Sequence, residues 1–453
     1  MKNRTKFLGG LTLLGAGILA LAGCQGGSTG SSTGGDTPTK TAAEIAVENA
    51  MTLTRDQLFE KAAEELGTTG QLKFIATTSR GGKTAARNKF ITELKKYNKD
   101  IVDPLDYTTT VDGRIYTMLN AEYDNGTKDG YSGAILQDGY QLQTKAIRKG
   151  STINYIPKEW KEAEGVNVER DGNPFALQYN FKTWMENTKT HAPQVDNIWD
   201  VTQAKYEKKL QTMDPTSENV NMDWLMMLTT DSENAKLKAA FNDPTNDNKN
   251  FDFSPYEKYG EKKYAYGFIA SFIKNAVFNK DDGEAINNLA KGEDNIGWIV
   301  YSKLMNVTET AEVSKKNITI SALGNDNTDG ATKGDSSIKG FAGFMYKHYP
   351  VVTKNAQYPY ATCAFINILS TTEEGYSVWA NDVGDYPTMP SINKDRSKLG
   401  QNEDETKSIP GLNDPSSEWW TTKGAAVVED PAQISDAYAK TINFIFAQIA
   451  AKK

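Results

Sequence analysis

The chain has 453 residues, a charged fraction of 24%, a mean hydropathy of −0.58 and a formal net charge of −7. These values exclude a chain that crosses a membrane repeatedly, and an acidic body of this kind is a poor partner for nucleic acid or anionic lipid. The length suits two or three domains.

The first element is an apolar, Gly/Ala-rich run from Phe7 to Gly23, preceded by Lys2, Arg4 and Lys6. It has the charged and apolar regions of an export signal and is short for a membrane span. Leu21-Ala22-Gly23 then leads directly into Cys24, an arrangement that resembles the lipobox of bacterial lipoproteins. The resemblance implies cleavage after residue 23 and lipidation of Cys24. More than one acyl chain would give stable anchoring and the protein's sole attachment to the membrane. An ordinary secreted cysteine is the alternative. Residues 24–53 are expected to be the lipidated cysteine and a flexible tether. The Gly/Ser/Thr-rich stretch 25–40 gives about 22 Å of mean reach. With Cys24 in use, Cys363 has no disulfide partner. It lies in the apolar "TCAFINIL" and reads as a small buried hydrophobe.

"TRDQLFEKAAEELG" predicts a helix with Thr54 as its N-cap and Gly67 after its last turn. From Leu72 strand and helix patterns alternate. "LKFIAT", "PLDYTTT" and "YSGAILQ" read as strands, and helical spacing follows in "GGKTAARNKFITELKKYN", "DGRIYTMLNAEY" and "GYQLQTKAIRKG". Strands separated by helices of ten or more residues imply right-handed crossovers and a mainly parallel sheet. Farther on, "NMDWLMMLTT" and "YAYGFIASFIKNAVF" read as helices and "NIGWIVYS" as a strand. A polar insertion near residues 242–263 interrupts what looks like a second α/β unit.

The ordered set resembles the extracellular solute-binding proteins of ABC importers, in the two-lobed, type II periplasmic-binding-protein class nearest the ferric-iron-binding families. The resemblance is carried by "LKFIATTSRGGKTAARNKF", "AILQDGYQL", "IWDVTQAKYEKKLQTMDP", "GFAGFMYKHYPVVTKNAQYPYATCAFINILSTTEEG" and "WANDVGDYPTMP". It implies an α/β fold of two lobes joined by hinge crossing strands, near Phe175 to Asn180 and Gly340 to Tyr346. The first lobe would comprise 54–176 and 343–453, the second 177–342. It further implies a monomer outside the cell membrane that passes a small solute from the cleft to an ABC permease.

Candidate ligand contacts follow from the loops after strands. Ser79, Arg80 and Gly81 combine a helix start, a planar donor fork and a glycine, which suits an anionic or polyhydroxyl ligand or plain turn chemistry. Gln137, Asp138 and Tyr140 follow the third strand, at the edge where open α/β sheets bind ligands. Trp298, Tyr301, Ser302 and Lys303 follow a later strand, with Trp298 divided between a sugar-facing role and the core. The iron-binding relatives use adjacent tyrosines, and this chain has no Tyr-Tyr pair; its histidines, His191 and His348, read as loop and surface residues. Asn325 to Ser336 approaches a calcium loop but carries Ser336 at the twelfth position. No metal or cofactor is expected. A surface-anchored enzyme, a glycosidase or other hydrolase, and a non-transport scaffold are the rival classes; against the enzyme, the sequence has no G-x-S-x-G, no H-E-x-x-H and no Cys/His pairing. Carbohydrate or another polar organic solute is the first expectation, with a small anion or ferric complex as alternatives.

Overall fold

The computed structural model describes residues 40–191, 194–292, 295–320, 339–393, 416–422 and 425–452. Cys24, the signal, most of the tether and the calcium-like loop lie outside them. The tether expected to reach residue 53 gives way to a helix, Ala42–Ala50. Thr41 and Glu44 form a capping box at its start, and Val47 and Ala50 are buried, so this segment belongs to the folded body. The next helix, Arg55–Leu66, is capped by Thr54 and closed by Gly67 as its sequence predicts.

The strands are β1 (Leu72–Ala76), β2 (Leu105–Thr109), β3 (Gly133–Leu136), β4 (Thr152–Ile153), β5 (Gln178–Asn187) and β6 (Leu210–Met213). There follow β7 (Ala276–Asn279), β8 (Ile296–Val300), β9 (Ile318–Ile320), β10 (Gly343–Thr353), β11 (Asp385–Pro387) and β12 (Val427–Val428). Their order is β2-β1-β3-β10-β5-β8-β6-β7, with β4 and β12 paired to β10, and β9 and β11 to β5. β1, β2 and β3 are parallel, as are β6, β7 and β8. Two parallel sheets are therefore joined through two long antiparallel strands.

Those strands cross between lobes because each serves both sheets. β10 pairs with β5 over Gly343–His348 and with β3 over Tyr349–Val352. β5 pairs with β10 over Gln178–Thr183 and with β8 over Lys182–Glu186. Every residue of β10 is buried, which explains its nearly continuous apolar character.

In the first lobe, Phe74, Phe90 and Phe365 meet edge to face, and Cys363 is fully buried among their neighbours. In the second, Trp184, Trp224 and Trp298 form one aromatic core. The polar insertion is pinned there by Phe251 and Phe253, each edge-on to Trp199. The C-terminal helix, Pro431–Lys452, which the expected division gives to the first lobe, packs on both lobes, against Gly139–Gln141 and Leu142–Ile147 in the first. Ile434, Ile442, Ile445 and Ile449 join the second lobe's core, because its apolar stripe packs against the helices Asn219–Met227 and Lys263–Asn275.

Candidate functional site

The parallel strands deliver their carboxyl ends to one cavity of about 600 Å3. In the first lobe β1 is followed by Thr77, Thr78 and Arg80, β2 by Val111 and Gly113, and β3 by Gln137 and Asp138. In the second, β6 is followed by Ser217 to Val220, β7 by Asp282, and β8 by Ser302 and Lys303. The crossing strands supply Asn180, Tyr346 and His348, and Trp379 completes the wall. Open α/β sheets place ligands beyond the carboxyl ends of their strands, and here two such edges face one space.

Helices Asp112–Asp124 and Asn219–Met227 start at Val111 and Glu218 without a side-chain cap. First-turn N–H groups from both lobes are thus left for water or a solute. Arg80 reaches the cavity, but its guanidinium pairs with Asp382 and, at 2.8 Å, with Asp385. Burial works against the Arg80 cation and the two carboxylates overcome it.

The opposite wall repeats the device. Lys182 of β5 is completely buried, with Nζ 2.6 Å from Glu218, 3.0 Å from Asn221 and 3.5 Å from Asp282. Burial alone would lower its pKa, and Asp282 and Glu218 raise it instead. Burial carries Glu218 up to about 7, with Lys182 restraining the rise. Lys303 is half-buried and makes no hydrogen bond or ion pair among the described residues.

His348 is 2% exposed within β10, which corrects its reading as a surface residue. Its Nε2 lies 2.5 Å from Gln137 and its Nδ1 3.0 Å from Gln178. Burial and the Arg80 charge lower its pKa to about 3, so the ring is neutral at physiological pH.

Arg80, Gln137, Asp138, Ser302 and Lys303 thus come together as cavity residues. Five other candidates do not. Ser79 is exposed outside the lining, and Gly81 approaches Tyr107: a Cβ there would stand 2.8 Å from the phenol oxygen. Tyr140 stacks on Tyr438 at 3.7 Å behind the cleft. Trp298 lies 4.1 Å from Trp224 in the core, because β8 is buried on both faces. Tyr301 is buried beside Phe181 and Trp420. The sequence reading placed Thr78 at the head of the Arg80 loop without assigning it a contact, read His348 as a surface residue, and passed over Thr77, Asn180, Glu218, Asp282, Tyr346 and Trp379. Ser217-Glu218-Asn219 and Asp281-Asp282 carried a usable signal, since both are helix starts directly after short apolar strands.

No family profile and no curated relative matches the sequence. Solved structures do match its fold. Iron-bound HitA from Pseudomonas aeruginosa superposes with a TM-score of 0.54 at 11% identity, over 84% of this chain and 99% of the other. An ABC transporter structure from Clostridium perfringens gives 0.53 at 12% identity, over 83% and 99%. Trichodesmium FutA with iron and citrate gives 0.52 at 11%, over 84% and 99%. The chain has the two-lobed, type II periplasmic-binding-protein fold, and at these identities the likeness is one of fold.

Proposed function

We propose that this chain is the solute-binding component of an ABC importer, without enzymatic activity, held at the outer face of a bacterial cell membrane by lipid on Cys24. It captures one small polar solute between its lobes as a monomer and hands it to the permease. The observation that carries this reading is the cavity of about 600 Å3 fed by the carboxyl ends of both parallel sheets and floored by the crossing strands. Such a space is suited to closure about a hinge, and a permease can distinguish its closed from its open form.

A carbohydrate or other polar organic solute fits best, because amides, hydroxyls and carboxylates dominate the lining and Tyr346 and Trp379 add aromatic surface. A small anion fits less well, since Arg80 already holds two carboxylates and the charge of Lys303 acts on one of them, Asp382. A ferric complex is a second reading, favoured by the iron-bound structures that share the fold. Among the described residues no group of three His, Cys, Asp or Glu side chains is arranged to hold a metal ion.

The test is a thermal-shift screen of the full chain against sugars, phosphorylated sugars, phosphonates, polyamines and ferric citrate. Solute at a thousand times its Kd adds about 4 kcal/mol to stability, a shift of several degrees. A folded chain that no class stabilises contradicts the proposal.

A further inference from the structure

Behind the cleft, the loop after β3 meets both the second lobe and the C-terminal segment. Asp138 has φ 69°, a left-handed conformation uncommon in residues with a Cβ. The next residue, Gly139, donates its one N–H to Asp223 Oδ2 at 2.7 Å and to Glu429 Oε1 at 3.2 Å. Asp223 belongs to the helix Asn219–Met227 of the second lobe, and Glu429 follows β12. A Cβ on Gly139 would stand 2.9 Å from Ile434 Cδ1 and 3.2 Å from Glu429 Oε1, so a side chain there would have to displace both. The other oxygen of Glu429 accepts the Lys347 N–H and the Tyr349 hydroxyl, each at 2.8 Å.

Asp138, Asp223 and Glu429 are each at most 2% exposed, and none makes an ion pair among the described residues. The nearby ammonium groups are turned elsewhere: Lys347 Nζ to Arg170 O at 2.8 Å and Asp171 at 3.3 Å, Lys145 Nζ to Gln141 Oε1 at 2.5 Å. The remaining titratable groups facing the trio are the phenols of Tyr116, Tyr140, Tyr349 and Tyr438. Two carboxylate oxygens converging on one N–H repel when both are ionised. Burial pushes up all three and carries Glu429 to about 7; the charges of Asp138 and Glu429 add to the rise of Asp223 and that of Asp138 adds to the rise of Glu429, whereas hydrogen bonds from Gln141 and Asn219 and the Lys145 charge oppose the rise of Asp138.

We propose that Asp138, Asp223 and Glu429 form a proton-sharing latch between the lobes. With its protons bound, the loop Gln137–Gly139 is held against the second lobe. When they leave, repulsion loosens that junction. Asp138 also lines the solute cavity, so solute binding and proton binding are linked. Only this last consequence rests on reading the cleft as a solute site.

The test needs no solute. Equilibrium unfolding of the full chain is measured between pH 5 and 8 for the wild type, Asp223→Asn and Glu429→Gln. Excess native-state protons make the wild-type unfolding constant rise with pH through the range in which Glu429 titrates, about 7. Each variant keeps an amide oxygen for the Gly139 N–H but loses one titrating acid. Its rise should be shallower by up to about tenfold per pH unit. A rise equal to the wild type's in both variants overturns proton sharing, and Glu429→Gln decides alone if Asp223→Asn fails to fold. Solution scattering at pH 5.5 and 8 reads the latch itself. The wild-type radius of gyration should be larger at pH 8, with the change reduced in Glu429→Gln; a wild-type radius independent of pH overturns the latch. Because no solute is present, these results stand apart from the outcome of the thermal-shift screen.

Discussion

Lys182→Met removes the ammonium that Glu218 and Asp282 share while keeping an unbranched side chain of similar reach. Lys182 is fully buried and its partners nearly so, with side-chain exposures of 15% and 8%. Breaking a buried pair by deleting one member costs about 3–5 kcal/mol, because the remaining charge is left without compensation. The structure adds a pH dependence. Glu218 already titrates near 7 in the presence of Lys182, and losing the lysine moves it higher. Below pH 7 the carboxyl is protonated in both proteins, so the cost is at its smallest. Above pH 7 the variant's native state holds a proton that the wild type has released, and the cost grows by up to about 1.4 kcal/mol per pH unit. Urea unfolding at pH 6 and pH 8.5 should therefore give a loss about 2 kcal/mol larger at the higher pH. Equal losses at both values, or a loss below about 1 kcal/mol at pH 8.5, would refute the assignment of Glu218 as the proton-accepting partner of this pair.

Three further outcomes follow from particular contacts. Trp298→Ala should cost about 3–5 kcal/mol in urea melts, yet leave intact the stabilisation given by any solute, because the indole packs on Trp224 outside the cleft. Gly133→Ala would bring a Cβ to 2.5 Å from Thr362 Cγ2 and 2.7 Å from Phe74, so a loss of about 1–3 kcal/mol is expected; an unchanged midpoint would mean that those side chains yield freely. Glu65 accepts the Ala361 N–H at 2.9 Å, and burial raises its carboxyl to about 7. Its protonated form stabilises the native state at low pH, and that contribution is lost as pH rises to about 7. Glu65→Gln should melt with the wild type at pH 5 but about 1–3 kcal/mol more stably at pH 7.5; parallel curves at the two pH values would contradict this.

Local patterns told much of the fold. Thr54 and Gly67 bounded their helix, Leu72–Ala76 and Leu105–Thr109 emerged as strands, and the alternation with long helices pointed to parallel sheets. The site was legible where a loop directly follows a strand, as at Arg80, Gln137 and Ser302. It was illegible where function depends on distant partners. Nothing near Arg80 in sequence announces Asp382 and Asp385, and nothing near Lys182 announces Asp282. Without those pairings Arg80 looks like a free donor fork, whereas in the fold its charge is already answered. His348 and Trp298 went astray for one reason: a strand buried on both faces gives no alternation to tell cleft from core. The C-terminal helix was assigned to the first lobe because its apolar stripe names no partner; in the fold it packs on helices of the second lobe and on Gly139–Gln141 and Leu142–Ile147 of the first.

The central claim is that a solute binds between the lobes. Its most direct test is calorimetric titration of the full chain with the solute that stabilises it best in the screen, repeated on Gln137→Ala and on Lys440→Ala. Gln137 lines the interlobe cavity, and Lys440 lines a separate one beside Thr229 and Tyr266. The account predicts one solute per chain, affinity lowered about tenfold or more in Gln137→Ala as a hydrogen-bonding partner is lost, and unchanged affinity in Lys440→Ala. Binding that ignores Gln137→Ala but falls in Lys440→Ala, or no saturable heat from any solute, would contradict it.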